Sequence, residues 1–327
     1  MRKSKALFIV LLMAVAAMSG AQSYRSKDGS IEIKGWESWR VTGPAGKRTF
    51  VAKSTEGGKV HATWVDRSKG QTERVTVEAA QIEGMIDETG IATITNAKMT
   101  GGIQAVVTRP SANASSNQKQ TATLTGREAN YIAAENRVDL TGGVKIVNSD
   151  PGTSETTTTT GSTAKVILSE ASSRQRAVVN ANVQGPVETL IRRPSANVAA
   201  SQPQTARLTS RSAIYNASEN QIDLTGDVNI VSEDPGASQT FRADGKSARV
   251  GLAGTGVRGQ VIQTASLDGP INMKMNGIRE DSVEGTKKKL PFVVNGAANR
   301  MTFSDAERRI NLEGDVHIDS DHPSIGG

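Results

Sequence analysis

The chain repeats itself at a spacing of 84 residues, and this duplication constrains the fold more than any other feature of the sequence. Residues 109–113, with the sequence RPSAN, reappear without a gap at 193–197. Residues 139–142, with the sequence DLTG, reappear at 223–226 with the same offset. Repeats of this kind stack copies of one supersecondary unit and bury a core that continues from copy to copy. We therefore expect one elongated body of stacked units.

Each unit divides again into half-repeats of roughly 42 residues, each marked by a glycine between alternating apolar residues. The spacings between successive glycines are 41, 43, 41, 43 and 45 residues. The glycines are Gly101, Gly142, Gly185, Gly226, Gly269 and Gly314. Because glycine permits a sharp bend or a bulge within a strand, we expect these positions to form a common crease at which each strand passes from one sheet to another.

Apolar residues around these glycines occupy alternate positions. This period of two is typical of a strand with one buried and one solvated face, whereas a helix would scatter such residues. The inner face predicted in this way consists of Val138, Leu140, Val144, Ile146, Val166, Leu168, Ile222, Leu224, Val228, Ile230, Val250 and Leu252. The sequence thus predicts an all-β protein built from stacked hairpins in two facing sheets.

The chain is expected to contain a leader, a cap, a repeat region and a tail. Residues 1–21 combine a basic start, an apolar run too short to span a bilayer and small residues at the end, which is typical of a signal peptide cleaved after Ala21. The alternative is an uncleaved helical anchor. Residues 22–78 are predicted to form an N-terminal β cap, 79–319 the β-repeat domain and 320–327 a C-terminal tail.

Polar stretches between the periodic segments are expected to be surface loops. They cover residues 111–119, 149–161 and 197–202. The run of threonines at 156–160 has two interpretations, an exposed strand edge or a mucin-like stalk. The first is preferred because the copy of this run contains Phe241 in a segment that reads as a strand.

The amino-acid composition argues against several classes of protein. The chain has no cysteine, so strand pairing and burial must stabilise it without disulfides. Without the leader's Arg2, Lys3 and Lys5, 36 basic residues face 33 acidic ones, a net charge of +3. These charges are interspersed, which argues against nucleic-acid binding.

Residues 208–230, LTSRSAIYNASENQIDLTGDVNI, resemble the OstA-like repeat of lipopolysaccharide-transport proteins, the periplasmic LptA/LptC-like family. The same pattern recurs at 124–146 and more loosely at 294–318. The resemblance extends over most of residues 79–319. It implies a folded-over, open β-jellyroll whose two sheets clasp acyl chains, so the predicted inner face would be the lining of a lipid-binding groove.

The resemblance also implies a function, a periplasmic lipid-binding bridge or chaperone in the transport of lipopolysaccharide or a similar amphiphile to the outer membrane. The expected partners are an acylated lipid and further β-jellyroll proteins, or a second copy, that pair with the terminal sheet edges. Head groups would lie near Arg211, Arg242 and Lys246. The alternative is a structural or adhesive envelope repeat protein with a closed core and no lipid ligand, because buried strand faces look the same in both cases.

Catalysis and cofactor binding are not expected. The chain has no nucleophile elbow, no phosphate-binding glycine loop and no zincin helix. His317 and His322 are too few to suggest a metal site. Three consecutive lysines at 287–289 are expected in a solvated loop. Trp36, Trp39 and Trp64 are expected to form a small N-terminal core, with an interfacial contact as the alternative.

Overall fold

A computed structural model describes residues 22–66, 73–111, 117–170, 176–195, 202–254, 260–283, 286–307 and 309–321. The predicted signal peptide and His322 lie outside these residues. The described chain forms a sheet of 19 strands and a short 3-10 helix at Ala133–Glu135. The seven N-terminal strands are β1 Ser23–Arg25, β2 Ile31–Lys34, β3 Ser38–Thr42, β4 Lys47–Lys53, β5 Val60–Asp66, β6 Glu73–Ala79 and β7 Gln81–Asp87.

Long strands make up the remainder, followed by two short ones. The long strands are β8 Thr93–Pro110, β9 Lys119–Ile132, β10 Arg137–Asp150, β11 Glu155–Leu168, β12 Val178–Arg193, β13 Gln204–Asn216, β14 Gln221–Asp234, β15 Gln239–Leu252, β16 Ile262–Val283 and β17 Thr286–Ser304. The short ones are β18 Arg309–Glu313 and β19 His317–Ser320. From β8 to β17 each strand pairs antiparallel with the next.

The predicted crease is confirmed. All six glycines have a positive φ, between 71° and 110°, a conformation that residues with a side chain rarely adopt. The pairing of β10 with β11 shifts register between Thr141 and Val144, on either side of Gly142. Each long strand therefore bends at its middle, and its two halves lie in two facing layers. At Gly314 the bend separates two strands, β18 and β19.

At both ends of the sheet, the two layers are built from separate short strands and no longer share long ones. The first half of β8 pairs with β7 and its second half with β6. One layer then continues through β4 to β3, and the other through β5 and β2 to β1. At the other end, β17 pairs with β18 in one layer and with β19 in the other. The first strands do not pair with the last in the described chain, so the elongated open β-jellyroll is confirmed.

An aromatic plug closes the N-terminal end of the space between the layers. We use this name for Tyr24, Trp36, Trp39 and Phe50, whose rings stack around Trp39 at centroid distances of 4.5 to 5.5 Å. The Tyr24 hydroxyl donates to Glu88 Oε1 at 2.7 Å, and burial with this carboxylate raises the pKa of Tyr24. Because β1 and β3 belong to opposite layers, the plug fastens the two layers together.

Two expectations about loops are wrong. Residues 149–161 are not a loop, because β10 runs to Asp150 and β11 begins at Glu155. Threonines 156–160 pair with β10 on one side and β12 on the other, so they form neither an exposed edge nor a stalk. The run is a strand, as in the preferred interpretation, because threonine is β-branched, but it lies inside the sheet and not at its edge. Lysines 287–289 likewise lie in β17, not in a loop.

Candidate functional site

The twelve residues of the predicted inner face all point between the layers, and eleven of them are buried. Leu168 is half-buried. They do not border one common cavity among those described below. Three line a cavity near the N-terminal end, three border a small void in the middle, and the others, Val144, Val166, Leu224, Val228, Ile230 and Val250, border none of the cavities described below.

The middle of the interior is filled. The void there has a volume of about 30 Å³, which is room for about one water molecule. It is bordered by Ile146 and Thr157 from one layer and by Ala181, Ile222 and Leu252 from the other. Both layers therefore meet here, and apolar side chains close the space between them.

A cavity of about 560 Å³ lies between the aromatic plug and the filled middle, and we call it the N-terminal cavity. The rings of Trp64 and Tyr131 meet across it at a centroid distance of 5.9 Å. Trp64 is thus separate from the other two tryptophans, which form the expected N-terminal cluster. The lining comprises Trp64, Val65, Glu73, Val75, Val77, Ile91, Ala92, Thr93, Ile94, Met99, Ala105, Val107, Leu124, Ala129, Tyr131, Ala133, Asn136, Val138, Leu140, Leu168, Ser169 and Glu170.

A larger cavity of about 1000 Å³, the C-terminal cavity, lies between the layers at the other end. None of the twelve predicted residues lines it. Its lining comprises Ser232, Ala237, Gln239, Phe241, Gln260, Ile262, Met273, Met275, Phe292, Val294, Gly296, Phe303, Asp305, Arg309, Ile310, Asn311, Leu312, Val316 and Ile318. The alternation of Ile271, Met273 and Met275 could have indicated this surface in the sequence, because it repeats the inner-face pattern with more flexible side chains.

The mouth, which is the side opposite the crease, is fastened where the repeat begins with Arg-Pro-Ser. The Arg109 side chain is fully buried at the end of β8 and donates to the carbonyl of Ser169, just after β11, at 3.2 Å. It also donates to the Ser169 hydroxyl and pairs with Glu73. Arg109 lies at the end of β8 in one layer, and Ser169 lies just after β11 in the other layer. These bonds therefore hold the two layers together across the mouth.

Gln120, at the start of β9, completes this fastening. Its Nε2 donates to the carbonyl of Pro110 at 2.9 Å, and its Oε1 accepts from the backbone N–H of Ala177 at 3.1 Å. One side chain therefore connects a neighbouring strand end to the opposite layer. We call Arg109 and Gln120, with the groups they bind, the first clasp.

The second copy of the repeat forms a second clasp with Arg193 and Gln204. Arg193 donates to the carbonyl of Ala253 at 2.7 Å and pairs with Glu155 at 2.8 Å. Gln204 donates to the carbonyl of Pro194 at 2.8 Å and accepts from the N–H of Val261 at 3.1 Å. The matching contacts show that these repeated polar residues form a structural element that closes the mouth twice.

Electrostatics favours a closed second clasp. Glu155 is shared by Arg193 and Arg176, and Arg176 donates to the Tyr215 hydroxyl at 2.8 Å. Burial lowers the pKa of Arg193 and raises the pKa of Tyr215. The Glu155 carboxylate acts against the lowering at Arg193. A buried carboxylate between two guanidinium groups is stable only while its partners remain in place.

A third clasp is absent from the described residues. The position 84 residues after Arg193 is Gly277, and the position 84 residues after Gln204 is Lys288. Glu155 and Arg176 correspond in the same way to Gln239 and Gln260, which line the C-terminal cavity. The third mouth therefore has no arginine at the position that fastens the first two, and the larger of the N-terminal and C-terminal cavities lies there.

Arg211, Arg242 and Lys246, near which head groups are expected, line none of the three described cavities between the layers. Arg211 and Lys246 lie at the crease, where their side chains occupy the space next to Gly226 and Gly269. Arg211 pairs with Asp227 at 2.6 Å, and both side chains are 75% exposed. Arg242 lies in β15 and faces away from the interior, in a polar cleft of about 360 Å³ that also contains Lys274 and His317.

These features define the class of protein, an open antiparallel β-jellyroll folded over along a glycine crease, with apolar space between its layers. Residues 99–183 and 180–253 each match the family model described as lipopolysaccharide-assembly, LptC-related. This match over residues 99–253 confirms the predicted resemblance to the lipopolysaccharide-transport family. No curated protein and no solved structure gave a significant match. In the part of the chain described, no helix is long and apolar enough to cross a membrane.

Proposed function

We propose that this protein binds the acyl chains of lipopolysaccharide or a similar amphiphile between its layers, as a periplasmic bridge or chaperone on the way to the outer membrane. The single observation that carries this proposal is the C-terminal cavity. Its volume of about 1000 Å³ is at the upper end of the range of ligand pockets. Aromatic and aliphatic side chains dominate its lining, as acyl chains require. The LptC-related family model supports the same transport process.

The energetics of transport require such a space. Each methylene group kept from water contributes about 0.8 kcal/mol, so a 12-carbon chain represents on the order of 10 kcal/mol. An amphiphile therefore crosses an aqueous compartment only inside an apolar shelter. Phe241 and Phe303 stack at 5.8 Å on one side of the cavity and provide wide apolar surfaces for this purpose.

The C-terminal sheet edges are the proposed docking surface for a second copy or a related β-jellyroll protein. β18 and β19 are the last strands of the two layers, and each is short. Val316 and Ile318 line the cavity and are still 47% and 50% exposed. A strand added to the β19 edge would cover these side chains and extend the cavity into the partner.

Native mass spectrometry and lipid extraction of the protein from a Gram-negative periplasm test the proposal. We expect one amphiphile per chain and uptake of a labelled lipid. Val294→Asp places a charge in the lining and should abolish both, because an unpaired charge excludes acyl chains. Val293→Asp is the matched control, since Val293 is the half-buried neighbour that does not line the cavity.

A lipid-free wild-type chain that takes up no labelled amphiphile would contradict the proposal. It would favour the alternative, a structural or adhesive repeat protein with a closed core. The middle of the interior already has the filled core that this alternative requires. Equal loss of binding in both valine variants would also count against the C-terminal cavity as the site.

A further inference from the structure

The middle void, the space of about 30 Å³ between the layers, has a polar wall on one side. Asn148, Thr157, Thr159 and Thr189 border it from β10, β11 and β12, which form one layer here. Asn148 continues the inner-face alternation that includes Ile146 on the same strand. Amide and hydroxyl groups inside a packed core cost free energy unless they form hydrogen bonds. This wall therefore needs hydrogen-bonding partners at the void.

The internal duplication shows that this polarity belongs to one copy and not to the fold. The counterparts of the four wall residues 84 positions earlier all line the N-terminal cavity, and they are Trp64, Glu73, Val75 and Ala105. The counterparts of Asn148, Thr157 and Thr189 84 positions later line the C-terminal cavity, and they are Ser232, Phe241 and Met273. The three spaces thus occupy equivalent places in the repeat, and the middle one has an amide and three hydroxyl groups.

The side-chain oxygen of Asn148 is the wall group that most needs a partner. Its Oδ1 atom is buried and accepts no hydrogen bond from any residue in the described part of the chain. A buried acceptor left in this state carries the full cost of its lost hydration. A donor inside the void removes that cost.

Hydroxyl hydrogens at the same void need acceptors. The Thr159 and Thr189 hydroxyls bond to each other at 3.1 Å, which uses one of their two hydrogens. The Tyr215 hydroxyl also borders the void and accepts from Arg176 at 2.8 Å, so its own hydrogen remains to be donated. The wall therefore calls for a small molecule that both donates and accepts hydrogen bonds.

We propose that the middle void is a binding site for one water molecule, which donates to Asn148 Oδ1 and accepts from a hydroxyl group of the wall. The volume of about 30 Å³ is sufficient for a water molecule, and the wall offers the two to four polar partners that such a water requires. Displacing this water with hydrocarbon would leave Asn148 unpaired, so the site also disfavours acyl chains in the middle. The inference goes beyond the proposed function, because it holds whether or not the protein carries a lipid.

Magnetic relaxation dispersion of the water oxygen counts long-lived internal waters in the full chain and tests the site. Asn148→Leu removes the acceptor and fills the void, so we expect the count to fall by one. Ser149→Leu is the matched control, because it places the same side chain at the half-buried next residue, which does not border the void, and it should leave the count unchanged. Circular dichroism establishes that each variant is folded.

Thr157→Ile is the second variant, used where Asn148→Leu does not fold. Thr157 pairs with Asn148 across the two strands, so the larger side chain fills the same void, and the same water should be lost. An unchanged count in either folded variant would overturn the site, and so would a wild-type chain with no long-lived internal water. An equal fall in Ser149→Leu would overturn its location.

Val294→Asp separates this inference from the proposed function. The substitution charges the C-terminal cavity, so it should abolish amphiphile uptake and leave the water count unchanged. A protein that takes up no amphiphile but loses one water in Asn148→Leu would contradict the proposed function alone.

Discussion

The first two copies of the repeat close their mouths, and the third does not. Arg109 and Arg193 each bridge the two layers from the end of a long strand, while Gly277 occupies the corresponding position in β16. The interior is filled next to the second clasp and open at the third mouth, with volumes of about 30 and about 1000 Å³. The apolar pattern along the strands is similar in all three copies. The first clasp, however, borders the N-terminal cavity of about 560 Å³, so a clasp closes the mouth without by itself filling the interior.

This comparison changes the interpretation of the repeat. The inner-face alternation determines which side chains point inwards, but the separation of the layers determines whether they touch. At the second clasp, the buried Arg193 bound to the Ala253 carbonyl of the opposite layer keeps the layers together, because releasing it would leave a charge without its partners in an apolar environment. Without the arginine, the layers can stand apart, and larger side chains such as Phe292 line the space between them.

The largest expected effect is on stability, and it tests whether the middle is packed. Leu224 is 1% exposed and borders none of the described cavities. Leu224→Asp should therefore destabilise the fold by more than about 4 kcal/mol or prevent folding, because it buries an unpaired charge. Thr225→Asp, at an exposed neighbour, is the control. Denaturant unfolding measures both, and a folded Leu224→Asp variant that only loses lipid would show an open groove in the middle.

Removing a clasp should have the next largest effect. Arg193→Ala should lower the free energy of unfolding by roughly 3 kcal/mol, because Glu155 loses one of its two cations and the Ala253 carbonyl loses its donor. A double-mutant cycle with Glu155→Gln should give a coupling of at least about 1 kcal/mol. Additive effects of the two substitutions would show that the pair does not hold the mouth.

The stability of the N-terminal end should depend on acidity. Hydrogen bonds from Ser26 and from the Ser30 and Ala92 backbone hold the pKa of Asp28 well below its usual range. A depressed folded pKa means that the stabilisation is present above the unfolded pKa of about 3.9 and is lost as the pH falls below it.

Asp28→Asn should therefore cost about 1 kcal/mol at pH 7, a modest value because the carboxylate is exposed. The gap in melting temperature between this variant and the wild type should narrow below about pH 4. A gap that stays constant from pH 7 to pH 3 would mean that ionised Asp28 does not fasten this end.

The smallest effect is expected at the crease. Arg211→Ala removes an ion pair with Asp227 whose two side chains are exposed, so it should change stability by less than about 0.5 kcal/mol. It should also leave amphiphile binding unchanged, because the crease is opposite the mouth. A clear loss of binding in this variant, measured by native mass spectrometry, would show that Arg211 contributes to a head-group site.

Much of the fold is predictable from the sequence, because it depends on local chemistry. The positive φ of Gly142 and Gly226 follows from their place in an alternating strand, and the inward orientation of Leu140 and Leu224 follows from the period of two. The threonines of β11 were harder to assign, because a polar strand inside a sheet has no apolar alternation to mark it.

The clasps and the cavities could not be predicted in this way. The recurrence of Arg109 and Gln120 was visible, but their partners lie 60 and 57 residues away along the chain. Only the folded-over layers bring these groups together. Similarly, Val228 in the packed middle and Val294 in the C-terminal lining occupy strands of the same pattern, and the distance to the opposite layer distinguishes them.

The most direct test of the account is to map where an acyl chain lies. A photoreactive amphiphile would be bound to the full chain, cross-linked, and located by peptide mass spectrometry. The account predicts cross-links on C-terminal lining residues such as Met275, Phe292 and Phe303, and none on Leu224, Ile230 or Val250. Cross-links along these three residues of the middle would contradict it, because they would require one continuous groove through the closed mouths.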